Sequence, residues 1–247
     1  MSETLTINEV YLSLQGESTF AGLPCIFVRL TACNLRCSYC DTAYAFTEGS
    51  KKELGEIRAK IDELVKPFSN SKLKTQNLKL PLIELTGGEP LLQKNSLPLM
   101  KSLCDDGFTV LVETSGALDI SQVDPRVHRI MDLKCPSSGE STKNRLENIA
   151  HLKNTDEIKF VIGTQQDYDW AKETIAEHQL AAICPLLFSW VAPLQPLQQD
   201  KSLKKVPVGQ TPISRKELVE KITADALPVR FQLQMHKFIW PPDERGV

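Results

Sequence analysis

Three cysteines stand within eight residues of one another, in the segment Cys33-Asn-Leu-Arg-Cys37-Ser-Tyr-Cys40. Three thiolates in one short loop can bind three irons of a cubane cluster and leave the fourth iron without a protein ligand. That open iron is able to bind a small molecule. A structural zinc site is the alternative, but zinc normally takes four protein ligands, and the nearest histidine in the sequence is His128. The spacing favours an iron–sulfur cluster, although a distant residue that supplied the fourth ligand would equally complete a zinc site.

Three further polar clusters follow strand-like apolar segments. They are Thr86-Gly87-Gly88-Glu89-Pro90, Glu113-Thr114-Ser115-Gly116 and Asp132-Leu133-Lys134. Paired glycines let a backbone approach a ligand closely, and a carboxylate accepts hydrogen bonds from an ammonium group. Each cluster alone is typical of a turn, a helix cap or a surface charge. Because parallel (β/α) folds place their active sites at the carboxyl ends of the strands, their shared position predicts one active site together with the cysteine loop.

A fourth polar group comes from the N-terminal part of the chain. The segment Leu14-Gln15-Gly16-Glu17-Ser18 and Arg29 supply an amide, a carboxylate and a guanidinium near the cysteine loop. Arg29 is suited to bidentate contact with a substrate carboxylate, while Gln15 and Glu17 suit the polar edge of a heterocycle. The alternative is a simple turn and a surface arginine.

Short apolar segments alternate with helical ones along the chain. The predicted strands are Cys25–Leu30, Leu80–Leu85, Thr109–Val112, Arg129–Leu133, Glu157–Ile162 and Ala181–Leu187, with Phe231–Leu233 as a further candidate. The apolar spacing from Leu54 predicts a helix that Pro67 ends. A second helix begins at Ser214, which forms a capping box with Glu217, and runs to about Ala226. This order predicts an α/β fold, an open or partial (β/α) barrel of about six parallel strands.

The length of 247 residues predicts a single catalytic domain over residues 1–247, with polar insertions near 69–79 and 198–211. Both insertions are typical of solvated surface loops, and the second is equally compatible with a mobile lid. A formal charge of −2 disfavours a nucleic-acid partner. With no signal peptide and no long apolar stretch, we expect a cytoplasmic protein that does not bind a membrane. The other cysteines, Cys25, Cys104, Cys135 and Cys184, lie in or beside apolar segments and are expected to be structural.

The cysteine loop resembles the signature of the radical S-adenosylmethionine superfamily, Cys-x-x-x-Cys-x-x-Cys with an aromatic residue before the last cysteine, here Tyr39. The resemblance implies a [4Fe–4S] cluster whose open iron is chelated by the amino and carboxylate groups of S-adenosylmethionine. It also implies that one electron from the reduced cluster cleaves the cofactor to a 5′-deoxyadenosyl radical.

A closer resemblance, from residue 7 to about residue 240, is to the 7-carboxy-7-deazaguanine synthase family. The segments that carry it are Ser-Leu-Gln-Gly-Glu-Ser, Cys-Asp-Thr after the cysteine loop, Thr-Gly-Gly-Glu-Pro, Glu-Thr-Ser-Gly, Leu-Gln-Pro and Gln-Met-His-Lys. The resemblance implies a lyase that converts 6-carboxy-5,6,7,8-tetrahydropterin to 7-carboxy-7-deazaguanine with loss of ammonia, on the route to queuosine and other 7-deazapurines.

The family resemblance also implies roles for individual residues. Substrate contacts are expected at Leu14, Gln15, Gly16, Arg29 and Thr86. Cofactor contacts are expected at Tyr39, Cys40, Asp41, Gly88, Glu113, Ser115, Lys134 and Gln195. Thr42 is expected to coordinate Mg²⁺, although composition alone favours Asp41. An electron donor such as flavodoxin and a homodimer are the implied partners. The tail from Pro241 to Val247 departs from the shorter members of the family and leaves open which C-terminal residue reaches the substrate.

One alternative within the superfamily is an activase that installs a glycyl radical on a large protein. Such an enzyme needs an open surface for its partner. The polar set of Gln15, Glu17 and Arg29 favours a small acid instead, because the site decides function within a shared fold.

Overall fold

An open sheet organises the computed structural model, which describes residues 3–69, 78–241 and 244–247. Its strands within these ranges are β1 (Thr4–Leu14), β2 (Pro24–Leu30), β3 (Ser50–Glu53), β4 (Leu82–Gly87), β5 (Val110–Thr114), β6 (His128–Leu133), β7 (Glu157–Ile162), β8 (Leu186–Trp190) and β9 (Arg230–Gln232). They lie in the order β3-β1-β2-β4-β5-β6-β7-β8-β9. Strands β2 and β4 to β9 are parallel, whereas β1 is antiparallel to both β2 and β3. The predicted partial barrel is confirmed.

The helices of the described ranges are α1 (Leu54–Val65), α2 (Ser96–Asp105), α3 (Gln165–Glu177), α4 (Arg215–Ala224) and the single turn α5 (His236–Ile239). Side chains cap three of them. Glu53 with Glu56, Thr164 with Asp167 and Ser214 with Glu217 form capping boxes that satisfy backbone N–H groups at the first turns of α1, α3 and α4. The predicted helices at Leu54 and Ser214 are confirmed, the second ending two residues before the predicted Ala226.

Two strands were not predicted, and several strand boundaries differ from the prediction, most of all that of β8. The sequence analysis missed β1, whose residues are mostly half-buried, and β3, whose residues are all exposed, because neither has the continuous apolar run of a parallel strand. The sixth predicted strand began at Ala181, but Leu180–Ala182 forms a 3₁₀ turn and β8 begins at Leu186. The candidate strand at Phe231 exists as β9.

The two faces of the parallel strands have different side chains, as the alternation of a strand requires. Outward residues such as Ile26, Val28 and Leu85 pack under the helices in the main hydrophobic core. The inward face instead carries polar side chains among apolar ones. On this face lie Phe27, Arg29, Glu84, Thr86, Glu113, Ile130, Asp132, Lys159 and Val161. The curved sheet therefore presents a polar inner surface at the end where its parallel strands terminate.

Of the two predicted insertions, residues 70–77 of the first lie outside the described residues. The second, near 198–211, is largely irregular and exposed, and Val208 is fully exposed. None of the described helices has both the length and the apolar character needed to cross a bilayer.

Candidate active site

A cavity of about 710 Å³ opens at the carboxyl ends of the parallel strands. The sequence predicted that the cysteine loop and the four polar groups would meet at this edge. The residues predicted for the substrate, cofactor and metal sites all line the cavity: Leu14, Gln15, Gly16, Arg29, Cys33, Cys37, Tyr39, Cys40, Asp41, Thr42, Thr86, Gly88, Glu113, Ser115, Lys134 and Gln195. The structure thus brings them together in one place.

The cysteine loop is held by the segment that follows β6. The Ser38 N–H donates to the carbonyl of Ser138 at 3.0 Å, and the Arg36 N–H donates to the buried carboxylate of Glu140 at 2.7 Å. Burial raises the pKa of Cys37 to about 12 and raises the pKa values of Cys33 and Cys40 as well. Burial therefore disfavours a thiolate at these positions unless a cation lies close to it.

The chemistry of these donors fits an iron–sulfur cluster. The three thiols are free, and they line the same cavity. Among the described residues, no three Cys, His, Asp or Glu side chains are close enough to hold a single metal ion. The other four cysteines, Cys25, Cys104, Cys135 and Cys184, are buried as expected.

Two buried polar atoms of the cavity have no hydrogen-bond partner among the described residues. They are the hydroxyl of Tyr39 and Oδ1 of Asp132. Burial keeps the Tyr39 hydroxyl neutral, because it raises the pKa far above its usual value. The second oxygen of Asp132 accepts from Lys134 Nζ at 2.8 Å. A buried polar group without a partner is unfavourable, so this wall of the cavity is suited to a polar ligand.

The Gly-Gly-Glu-Pro turn also holds neighbouring parts of the site together. A Cβ on Gly88 would lie 1.9 Å from the carbonyl oxygen of Ala32, so the glycine is needed for close packing against the chain that leads into the cysteine loop. The Glu89 carboxylate was expected to suit an ammonium group. It is fully buried and accepts hydrogen bonds from the Leu91 N–H, from the Thr114 hydroxyl, and from both the N–H and the hydroxyl of Ser115. The turn therefore fixes the loop and the end of β5 relative to each other.

The side chain of Arg29 is only 13% exposed and lines the same cavity as the cysteine loop, so Arg29 is not a surface residue. Its Nε contacts Glu9 Oε1 at 2.6 Å, and its Nη2 donates to the Tyr11 hydroxyl at 2.6 Å. These contacts fix the plane of the guanidinium at the cavity wall. Glu9 and Tyr11 were not identified from the sequence, although both lie on β1 opposite β2.

The C-terminal segment approaches the cysteine loop from the other side. Lys237 Nζ forms an ion pair with Asp41 Oδ2 at 2.7 Å. Burial by itself raises the pKa of Asp41, but Lys237 and His236 outweigh it and lower the pKa well below its usual range. Thr42 Oγ1 lies 3.8 Å from Cys40 Sγ. Gln195, by contrast, is exposed at the mouth of the cavity.

Two buried charged residues of the cavity, Lys159 and Glu84, were not predicted from the sequence. Lys159 on β7 contacts Glu17, Glu113 and Asp132, and Glu84 on β4 accepts a hydrogen bond from the Gln15 amide. Burial and the neighbouring Glu113 raise the pKa of Glu84 well above its usual value. The available signal was a charged residue inside each of two apolar strands, Leu80–Leu85 and Glu157–Ile162.

Comparison with known proteins gives closely similar relatives over the whole chain. The 7-carboxy-7-deazaguanine synthase of Koribacter versatilis is 41% identical over 98% of this chain and 100% of its own length. That of Chlorobaculum tepidum is 40% identical over 98% of this chain and 97% of its own length. The crystal structure of QueE from Escherichia coli shares the fold, with a TM-score of 0.67, 20% identity, and coverage of 94% of this chain and 95% of that one. No protein-family model matches the chain.

Proposed function

The chain belongs to the 7-carboxy-7-deazaguanine synthase family of radical S-adenosylmethionine lyases, which act in 7-deazapurine biosynthesis. From this premise we propose that its cavity binds 6-carboxy-5,6,7,8-tetrahydropterin and contracts its ring to 7-carboxy-7-deazaguanine, with release of ammonia. The observation that carries the proposal is the meeting of the cysteine loop with Gln15 and Arg29 in one cavity. A cofactor-activating group and a set of contacts for a small acid are then within reach of each other.

Cys33, Cys37 and Cys40 would hold the [4Fe–4S] cluster. When bound, the cluster and S-adenosylmethionine supply the carbon radical that starts the reaction. The neighbouring groups suit the polar cofactor. The unpartnered hydroxyl of Tyr39 and the ammonium of Lys134 offer hydrogen bonds, and Gly88 lines the cavity beside them. Ser115 is fixed beside them by Glu89.

The substrate would lie against the inner face of β2 and β4. Arg29 would bind the substrate carboxylate through the part of its fork that Glu9 and Tyr11 leave free. The other predicted contacts, Leu14, Gln15, Gly16 and Thr86, surround the same space. Gln15, Gly16 and Thr86 are buried, which limits the access of water to the heterocycle and strengthens each polar contact.

Thr42 is the proposed ligand for Mg²⁺. Its hydroxyl is a hard oxygen ligand, and Mg²⁺ keeps several waters that can bridge to a substrate carboxylate. The carboxylate of Asp41 is engaged by Lys237, which supports the choice of Thr42 over Asp41. The remaining parts of the proposal are a homodimer, an electron donor such as flavodoxin and a cytoplasmic location.

The experiment is an anaerobic incubation of the reconstituted protein with the carboxytetrahydropterin, S-adenosylmethionine, Mg²⁺ and a reductant. We expect 7-carboxy-7-deazaguanine and ammonia, detected by mass spectrometry and an ammonia assay. The control is Cys37→Ala, which should abolish turnover because two thiolates do not anchor the cluster. A brown, cluster-loaded protein that forms no product would refute the substrate assignment. A colourless protein without iron would refute the cluster assignment.

A further inference from the structure

Lys159 lies at the centre of the buried charges on the inner face of the sheet. Its side chain is 5% exposed, and its Nζ contacts a carboxylate oxygen of Glu113, Glu17 Oε2 at 3.1 Å and Asp132 Oδ2 at 3.7 Å. These carboxylates come from the loop after β1, from β5 and from β6. One ammonium group therefore connects three separate walls of the cavity.

Glu17 and Glu113 are also hydrogen-bonded to residues that are proposed to contact the substrate. Glu17 donates its backbone N–H to Gln15 Oε1 at 2.6 Å, and its Oε1 accepts from the Gln234 amide at 3.0 Å. The second oxygen of Glu113 accepts from the Thr86 hydroxyl at 3.2 Å. Gln15 and Thr86 are proposed substrate contacts, and Glu113 is a proposed cofactor contact. Lys159 thus lies between the substrate end and the cofactor end of the cavity.

The charges explain why this lysine is needed. Burial by itself raises the pKa of Glu17, but Lys159 and His236 outweigh it and lower the pKa to about 2. Three neighbouring carboxylates in a buried site repel one another unless a cation lies between them. Without the ammonium of Lys159, Glu17 and Glu113 would separate or take up a proton. Either change would move the hydrogen-bond acceptors that face the cavity.

We propose that Lys159 is a positioning residue for the reaction. It holds Glu17 as the acceptor for the N–H donors of the substrate heterocycle, and it thereby fixes the distance between the substrate and the cofactor. The proposal rests on the proposed function, because it takes the pterin as the ligand. The aminopyrimidinone edge of a pterin has two adjacent N–H donors in one plane. A carboxylate can accept both in the bidentate geometry that it uses with guanidinium groups.

The first test is Lys159→Met, which keeps the length of the side chain and removes its charge. We expect KM for the carboxytetrahydropterin to rise by about tenfold or more, because the acceptor is no longer held in place. More S-adenosylmethionine should also be consumed per product formed, since a displaced substrate receives the radical less efficiently. Iron content should stay at the wild-type level, which a collapse of the fold would not permit. The matched control is Lys172→Met, whose lysine is 47% exposed and pairs with Asp225.

A double-mutant cycle with Glu17→Gln tests whether Lys159 acts through Glu17. If it does, the double variant should have nearly the same KM as Glu17→Gln alone. Effects on KM that add independently, or an unchanged KM in Lys159→Met, would overturn the proposal.

If Lys159→Met does not fold, two milder variants decide the question. Lys159→Arg keeps the charge but replaces a compact ammonium by a planar fork. This variant and Glu17→Gln, each made alone, should both raise KM for the carboxytetrahydropterin. Wild-type KM in both variants would overturn the proposal. All these comparisons begin from wild-type turnover of the pterin, so a wild-type protein that forms no product contradicts the proposed function and not the role of Lys159 within it.

Discussion

Glu89 provides a strict test of how the site is held together, through the substitution Glu89→Gln. Its carboxylate is fully buried, and Oε2 accepts from the Ser115 N–H at 2.8 Å, while Oε1 accepts from the Leu91 N–H at 3.1 Å. The Thr114 hydroxyl contacts both oxygens. Each oxygen therefore faces a backbone donor. A glutamine at this position must direct its NH₂ group at one of these two backbone N–H groups, so that two donors face each other. The backbone N–H cannot rotate away, as a hydroxyl can, and is left without an acceptor.

The expected loss follows from these contacts. A hydrogen bond to a charged group contributes about 1.5–3 kcal/mol, and a buried N–H left unsatisfied costs about 1–3 kcal/mol. Because some relaxation accompanies the change, we expect Glu89→Gln to lower the free energy of unfolding by about 3–5 kcal/mol. For a chain of this size the loss corresponds to a decrease in Tm of roughly 10 °C. The affinity for S-adenosylmethionine should fall as well, because Ser115 loses its anchor.

The assay is urea unfolding of the metal-free protein, followed by circular dichroism, with ΔG extrapolated to zero denaturant. Glu220→Gln is the control, because Glu220 is 61% exposed and its pairing with Lys216 lies on the surface of α4. We expect the control to change stability by less than about 0.5 kcal/mol. A loss below about 1 kcal/mol in Glu89→Gln would refute the reasoning, since it would mean that the amide is accommodated without a buried donor conflict.

Three further predictions concern the ligands and the buried charges. Arg29→Lys should raise KM for the pterin by about tenfold, because lysine keeps the charge but loses the fork; steady-state kinetics test this, and an unchanged KM removes Arg29 from the substrate site. Thr42→Val should keep the cluster and substrate-free cofactor cleavage but form less product with a weaker response to Mg²⁺; equal magnesium dependence in variant and wild type contradicts the assignment. Glu17 has a pKa of about 2 in the folded protein against 4.5 otherwise, so its charge stabilises the fold above pH 4.5, and this contribution is lost as the pH falls toward 2. Urea unfolding over that range should depend less on pH in Glu17→Gln than in wild type, and equal dependence refutes the point.

The position of the site could be predicted from the sequence, because the end of each apolar strand is marked by a change to polar residues. Continuous apolar runs such as Glu157–Ile162 mark buried parallel strands, and the polar clusters that follow such runs must meet at one edge of the sheet. Capping boxes such as Ser214 with Glu217 likewise depend only on neighbouring residues. Strand β1 was missed because its signal is weaker. Its role as the partner of β2 depends on pairing with residues far along the chain.

The role of an inward charge could not be predicted, because it depends on partners that only the curvature of the sheet brings together. Lys159 and Glu113 are 46 residues apart, and Lys159 and Glu17 are 142 apart. In the sequence, Lys159 is a charged residue between the apolar residues Ile158 and Phe160, which indicates a buried ion pair but not its partner.

Glu89 shows the opposite case. The sequence suggested a carboxylate for a ligand, but the hydroxyl and N–H donors that engage it lie at the end of another strand. A carboxylate in a turn can therefore bind a ligand or stabilise the local fold, and the donors that lie next to it in the folded chain decide which. Lys159 and Glu89 together imply that this cavity is shaped by buried charged groups, one through ion pairs and the other through hydrogen bonds to neutral donors. A substitution that removes one of those charges should therefore alter ligand geometry even where it touches no ligand.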